Sequence, residues 1–219
     1  MRKYITEFVG TFFLVLTIGM VVIGSNEHFA LNATGSILFA PIAIGSILMT
    51  MIFAGAHLSG AHYNPAVTLA VLLRGRMELT TAVGYWAVQI LGGIAAAYTV
   101  GYLLPGSMAL AATERADSTR AVIAEIIGTF ALAYVVLNVA TAKGTVGNMF
   151  YGLAIGFTVL AMAYALGGIS GAAFNPAVAI GATFMKLAAW SDIWIYLVGC
   201  FGGAALAALV FRINNPEDK

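Results

Sequence analysis

The chain has 219 residues, of which 61% are hydrophobic and only 9% charged, with a formal net charge of +1 and a mean hydropathy of +0.96. Soluble domains carry about 25% charged residues, so this much apolar surface points to lipid and excludes an ordinary soluble fold. The near-neutral charge leaves no basic surface for nucleic acid. The single cysteine, Cys200, excludes an internal disulfide framework or a multi-cysteine metal site.

A helix needs about 20 apolar residues to cross the hydrocarbon. Six runs meet that length, over about 4–24, 36–56, 82–104, 121–141, 148–168 and 192–212. The first run is longer than a signal-peptide core of about 7–15 residues, and no small-residue cleavage site follows it, so it reads as a span. Ser25-Asn26-Glu27 closes it, and Arg74-Gly75-Arg76 precedes the third run. Pro105-Gly106 ends the third, and Lys143-Gly144 separates the fourth from the fifth. The runs are continuously apolar rather than alternating, which makes the chain an all-α membrane protein and not a barrel. Six spans put both termini on one side. That side holds Arg2, Lys3, Arg74, Arg76, Lys143, Arg212 and Lys219, against Arg115, Arg120 and Lys186 opposite. The excess predicts cytoplasmic termini. The compact chain, with no targeting extension, suggests a prokaryotic inner membrane.

The chain repeats itself. Glu7-Phe8-Val9-Gly10-Thr11-Phe12 recurs as Glu125-Ile126-Ile127-Gly128-Thr129-Phe130. Leu58-Ser59-Gly60-Ala61-His62-Tyr63-Asn64-Pro65-Ala66-Val67 recurs as Ile169-Ser170-Gly171-Ala172-Ala173-Phe174-Asn175-Pro176-Ala177-Val178. Gln89-Ile90-Leu91-Gly92-Gly93 is aligned with Gly199-Cys200-Phe201-Gly202-Gly203. The offsets, from 7 to 125, 64 to 175 and 92 to 202, are 118, 111 and 110. Each half, about 1–110 and 118–219 of a single domain, has three spans. The second therefore enters the membrane inverted, which places a transport site between the halves.

After each Asn-Pro-Ala comes an apolar stretch too short to span, Val67 to Leu73 and Val178 to about Lys186. Pro at a first helical position costs no hydrogen bond, and Asn before it is a good cap. Asn64 and Asn175 therefore open two half-helices, with Pro65, Ala66, Pro176 and Ala177 in their first turns. The positive dipole ends point into the membrane. The small residues before them suit extended backbone, which survives at membrane depth only where it lines a cavity or is buried. Glu7 and Glu125 sit inside apolar helices, where a charge must face the bundle interior and be paired. They read as structural acceptors for loop N–H groups. A proton relay, and with it a proton-coupled secondary transporter, is the alternative. His62 is expected to line or brace the cytoplasmic half of that transport site. His57 reads as a packing residue, His28 as a solvated loop residue and Cys200 as a packed thiol. Gly10, Gly92, Gly93, Gly152, Gly156, Gly202 and Gly203 read as helix-crossing positions. No metal site, cofactor site or nucleophile–base pair is visible, so no enzyme is expected.

Two Asn-Pro-Ala motifs, each after Ser-Gly-Ala, and two Glu-x-x-Gly-Thr-Phe openings within six spans resemble the aquaporin, or major intrinsic protein, family over nearly the whole chain. The resemblance implies two re-entrant half-helices, a single-file pore in each subunit and a homotetramer in lipid. It implies that Asn64 and Asn175 donate hydrogen bonds to a passing solute. By the family's spacing, the outer filter falls on Ile44, Ala163, Ala172 and Val178. Most members have Arg where this chain has Val178. Val with Ala at the helix-five position is similar to plant vacuolar-membrane members that pass water and larger neutral solutes, although Ile44 departs from them. Loss of the Arg removes a fixed charge and several donors. A wider, less polar filter for water, glycerol, urea, ammonia or hydrogen peroxide is expected.

Overall fold

A computed structural model describes residues 1–24, 33–106 and 117–218, without the side chains of 33–38. Ser25-Asn26-Glu27, His28, Arg115 and Lys219 lie outside the described residues. The long helices are α1 (Arg2–Val22), α2 (Ala33–Ser59), α4 (Leu79–Leu103), α5 (Ser118–Val136), α6 (Tyr151–Ser170) and α8 (Ile193–Asn214). Between them lie two nine-residue helices, α3 (Pro65–Leu73) and α7 (Pro176–Phe184). All six long helices are long and apolar enough to span a bilayer. Their bounds shift by a few residues from those expected, because capping and turn chemistry set helix ends. The fourth span continues through a π-helical turn at Leu137–Thr141 before the chain reverses.

The burial pattern suits lipid. Ile5, Phe13, Leu91, Ile123, Phe157 and Leu209 are exposed on the outside. Glu7, Thr11, Gln89, Glu125, Thr129 and Ser170 are fully buried. Water would reward the reverse arrangement.

The helices pack as α1 on α2 and α4, α5 on α6 and α8, and α2 on α6. The half-helices cross over: α3 packs on α8, and α7 packs on α4. Each half therefore supplies the floor for the other's re-entrant segment. Small residues permit these approaches. A Cβ at Gly156 would stand 2.6 Å from the Gly45 carbonyl, and one at Gly45 would stand 2.7 Å from the Gly156 carbonyl. Those two glycines bring α2 and α6 into backbone contact across the bundle.

The structure revises one alignment. Gly92 faces the Phe8 carbonyl of α1, and its counterpart against the Ile126 carbonyl of α5 is Gly203. A Cβ on Gly202 would meet only Ile126 Cγ1, at 3.8 Å. The offset within the last helix of each half is therefore 111, not 110. His57 is also revised. It is exposed in the last turn of α2 rather than packed in the interior.

On the side of the bundle holding Met1, Arg74 is buried against Phe211, 4.7 Å from the ring centroid. Its Nε donates to Thr141 Oγ1 at 2.8 Å, and its Nη2 donates to Asp218 at 2.7 Å. Arg76 Nη2 and the Lys143 N–H also donate to Asp218, at 3.1 and 2.7 Å. One carboxylate thus ties the residues after α8 to the turns after α3 and after α5.

Candidate functional site

Each half-helix begins with the capping chemistry its sequence announces. Asn64 Oδ1 accepts from Ala66 N (2.8 Å) and Val67 N (3.4 Å). Asn175 Oδ1 accepts from Ala177 N (2.9 Å) and Val178 N (3.4 Å). The amide nitrogens reach across to the opposite half of the chain. Asn64 Nδ2 donates to the Phe174 carbonyl at 2.8 Å, and Asn175 Nδ2 donates to the Tyr63 carbonyl at 2.9 Å. The two half-helices thus meet tip to tip. With each oxygen saturated by backbone N–H groups, each amide keeps one N–H and can only donate. Both asparagines line one internal cavity of about 520 Å³.

The loops entering the half-helices hold unusual backbone. Gly60, Ala61 and Tyr63 have φ of 82°, 51° and 49°, matched by Gly171, Ala172 and Phe174 at 93°, 53° and 48°. A left-handed conformation costs a non-glycine residue about 1–2 kcal/mol, so something must hold it. Glu7 Oε1 accepts from Ser59 Oγ (2.7 Å) and His62 N (2.9 Å), and Oε2 accepts from Tyr63 N (2.6 Å) and Gln89 Nε2 (2.9 Å). Glu125 Oε1 accepts from Ser170 Oγ (2.6 Å) and Ala173 N (3.0 Å), and Oε2 accepts from Phe174 N (2.7 Å). Its fourth donor is Cys200 Sγ at 3.5 Å. Both carboxylates meet only donors, as a carboxylate requires. Tyr85 and Tyr196 close each loop by donating to the Ser59 and Ser170 carbonyls at 2.7 and 2.8 Å.

Ile44, Ala163, Ala172 and Val178 all lie on the cavity wall. None carries a side-chain donor. His62 also lines the cavity, with Nδ1 3.1 Å from Thr68 Oγ1 and its ring edge-on to Tyr85. Cys200 is completely buried behind the loop. It is more than a packed thiol, because it bonds Glu125 where the first half uses Gln89. Sequence reasoning used Gln89 only as a repeat landmark and missed Thr68, Tyr85 and Tyr196. A glutamine inside an apolar helix was the available signal. The others look ordinary in sequence and gain their partners only through tertiary contact. Among the described residues, no cluster of His, Cys, Asp and Glu could hold a metal.

The fold and the paired half-helices define a membrane channel of the re-entrant kind. Residues 1–211 match the family model for major intrinsic protein, and the chain belongs to that family. It is 35% identical to Nodulin-26 of Glycine max, over all of this chain and 80% of that protein. It is 36% identical to the glycerol uptake facilitator protein-like 6 of Lactiplantibacillus plantarum, over the full length of both. In structure it is similar to the aquaglyceroporin from Plasmodium falciparum, with a TM-score of 0.84 at 24% identity, over 99% of this chain and 97% of that one. The chain is thus a multi-pass integral membrane protein of aquaporin fold and a passive channel for water and small solutes, not an enzyme.

Proposed function

We propose that this channel passes water together with at least one larger neutral solute, such as urea, glycerol or hydrogen peroxide, and excludes ions and protons. One observation carries the reading: Ile44, Ala163, Ala172 and Val178 give the cavity wall an apolar set with no charge at position 178. Selectivity in narrow pores follows diameter and the groups that replace a solute's hydration. A wall of small apolar side chains discriminates weakly among neutral molecules by either criterion.

Asn64 and Asn175 supply the central hydrogen bonds through the N–H that each amide keeps. Two half-helix N-termini face the same point, and their dipoles oppose cations there. Glu7 and Glu125, fully buried behind the loops with all their donors in place, act as loop anchors and not as a proton relay. The channel works as a homotetramer in a prokaryotic inner membrane, with both termini cytoplasmic and the two halves related as inverted repeats.

The test is a stopped-flow panel in proteoliposomes comparing water, glycerol, urea, ammonia and hydrogen peroxide. Flux of water and a larger neutral solute, without proton leak, supports the reading. A channel that carries water alone overturns it.

A further inference from the structure

The two halves provide an internal comparison. His62, Thr68 and Gln89 stand in the first half where Ala173, Ala179 and Cys200 stand in the second, at a constant offset of 111. Both loops nevertheless have the same form. Ala61 and Ala172 have φ of 51° and 53°, and Tyr63 and Phe174 have φ of 49° and 48°. Both accept the same anchoring, through two backbone N–H groups and a serine hydroxyl held by a buried glutamate. The second half builds its loop with two alanines and a thiol. The polar trio is therefore not what shapes the first loop.

Its hydrogen bonds have a definite sense. Gln89 Nε2 donates to Glu7 Oε2 at 2.9 Å and to Thr68 Oγ1 at 3.0 Å. The carboxylate can only accept, which fixes the amide orientation and leaves Gln89 Oε1 buried without a partner. The Thr68 hydroxyl has one proton. It points back to the Asn64 carbonyl four residues earlier, at 3.0 Å, as Thr11, Thr99, Thr158 and Thr183 do in their own helices. The two lone pairs of Thr68 Oγ1 then take Gln89 from one side and the His62 ring, 3.1 Å away, from the other. The ring nitrogen facing Thr68 must therefore carry the proton.

We infer that Thr68 and Gln89 lock His62 as its Nδ1–H tautomer, so that Nε2 offers a lone pair to the pore and makes His62 a specificity-determining residue of the channel. The ring lines the cavity and is only partly buried, and Nε2 bonds to no described residue. The arrangement complements the asparagines, which only donate. A solute in transit meets two donors at the half-helix tips and a side-chain acceptor two residues away, beside an apolar wall. The class this favours is small neutral molecules that carry both a carbonyl or hydroxyl oxygen and N–H or O–H donors, with urea as the simplest probe. The selectivity claim rests on the channel reading above. The tautomer claim does not.

The experiment has two readouts. Nitrogen-15 histidine NMR of the full protein in lipid reports the tautomer directly. The chain has three histidines, so the signal lost in His62→Ala identifies residue 62. The expected wild-type spectrum shows protonated Nδ1 and unprotonated Nε2 at His62. Thr68→Val removes the acceptor at nearly constant shape, and the expected spectrum loses that preference. In liposomes, urea-to-water permeability of Thr68→Val should fall about three- to tenfold, the effect of one hydrogen bond lost from a transit site. A protonated Nε2 in the wild type overturns the inference. So does an unchanged urea-to-water ratio in folded Thr68→Val. If the wild type shows no protein-dependent urea flux, the selectivity reading fails while the tautomer result still decides the lock.

Discussion

Replacing Glu125 by Gln tests how the second loop is held in its left-handed conformation. The carboxylate accepts from four donors, Ser170 Oγ, Ala173 N, Phe174 N and Cys200 Sγ. A Gln amide has one oxygen and one NH₂ group. If the oxygen stays with Ser170 and Ala173, the new N–H groups face the Phe174 N–H. If it turns over, they face the Ala173 N–H and leave Ser170 without its acceptor. Either way at least one backbone donor of the loop, the buried Phe174 N–H or the partly buried Ala173 N–H, loses its partner. A hydrogen bond to a charged group contributes about 1.5–3 kcal/mol, and a buried donor left unpaired costs about 1–3 kcal/mol. The expected loss is therefore about 3–5 kcal/mol, a large share of a typical stability of about 5–15 kcal/mol. At about 2–4 °C per kcal/mol for a chain of this length, melting should drop by about 6–20 °C. Tryptophan fluorescence melting in detergent, with size-exclusion profiles before heating, measures this. A Glu125→Gln protein that melts within about 2 °C of wild type would show that the carboxylate does not anchor the loop. A well-folded variant that turned pH-driven uptake into simple leak would instead favour the proton-coupled alternative.

Val178→Arg should lower the solute-to-water permeability ratio, because the guanidinium narrows the cavity wall and restores fixed donors; an unchanged ratio in folded protein refutes the assignment of the filter. Mercurials should block the wild type weakly, since Cys200 is completely buried behind the loop; rapid, complete, thiol-reversible inhibition would contradict that placement. The Asp218 carboxyl is held down at about 2, first by the Lys143 N–H bond and then by Arg74 and Arg76, against an ordinary 3.8. A depressed carboxyl stabilises the state that binds it above its free value and loses that contribution as pH falls, so the tie among the turns should hold above about pH 4 and release toward pH 2. Mobility of a spin label placed at Glu217 should rise over that window, and Asp218→Asn should show the raised mobility at neutral pH. Gly156→Leu should prevent assembly of a stable bundle, because its first side-chain carbon would already stand 2.6 Å from the Gly45 carbonyl; normal yield and melting would refute the crossing.

The spans and the half-helices were legible in the chain because each follows from local or periodic chemistry. An apolar run of about 20 residues has one outcome in lipid, and Asn-Pro at the head of a short apolar stretch specifies a capped helix start wherever it falls. The need to satisfy a buried carboxylate likewise made Glu7 and Glu125 interior groups before any partner was known. Their partners were another matter. Gln89 and Cys200 lie at equivalent positions yet look nothing alike, and sequence similarity pulled the alignment one residue out of register at Gly202. Only backbone contact, with Gly92 on the Phe8 carbonyl and Gly203 on the Ile126 carbonyl, fixes the register. His57 and His62 are five positions apart on the chain. One ends exposed in the last turn of α2 and the other on the cavity wall, because α2 stops at Ser59 and the left-handed loop turns the chain inward. The crossed asparagine bonds, Asn64 to the Phe174 carbonyl and Asn175 to the Tyr63 carbonyl, join residues more than a hundred positions apart. Hydrogen-bond geometry over that separation is set by how the two halves pack, which no local pattern encodes.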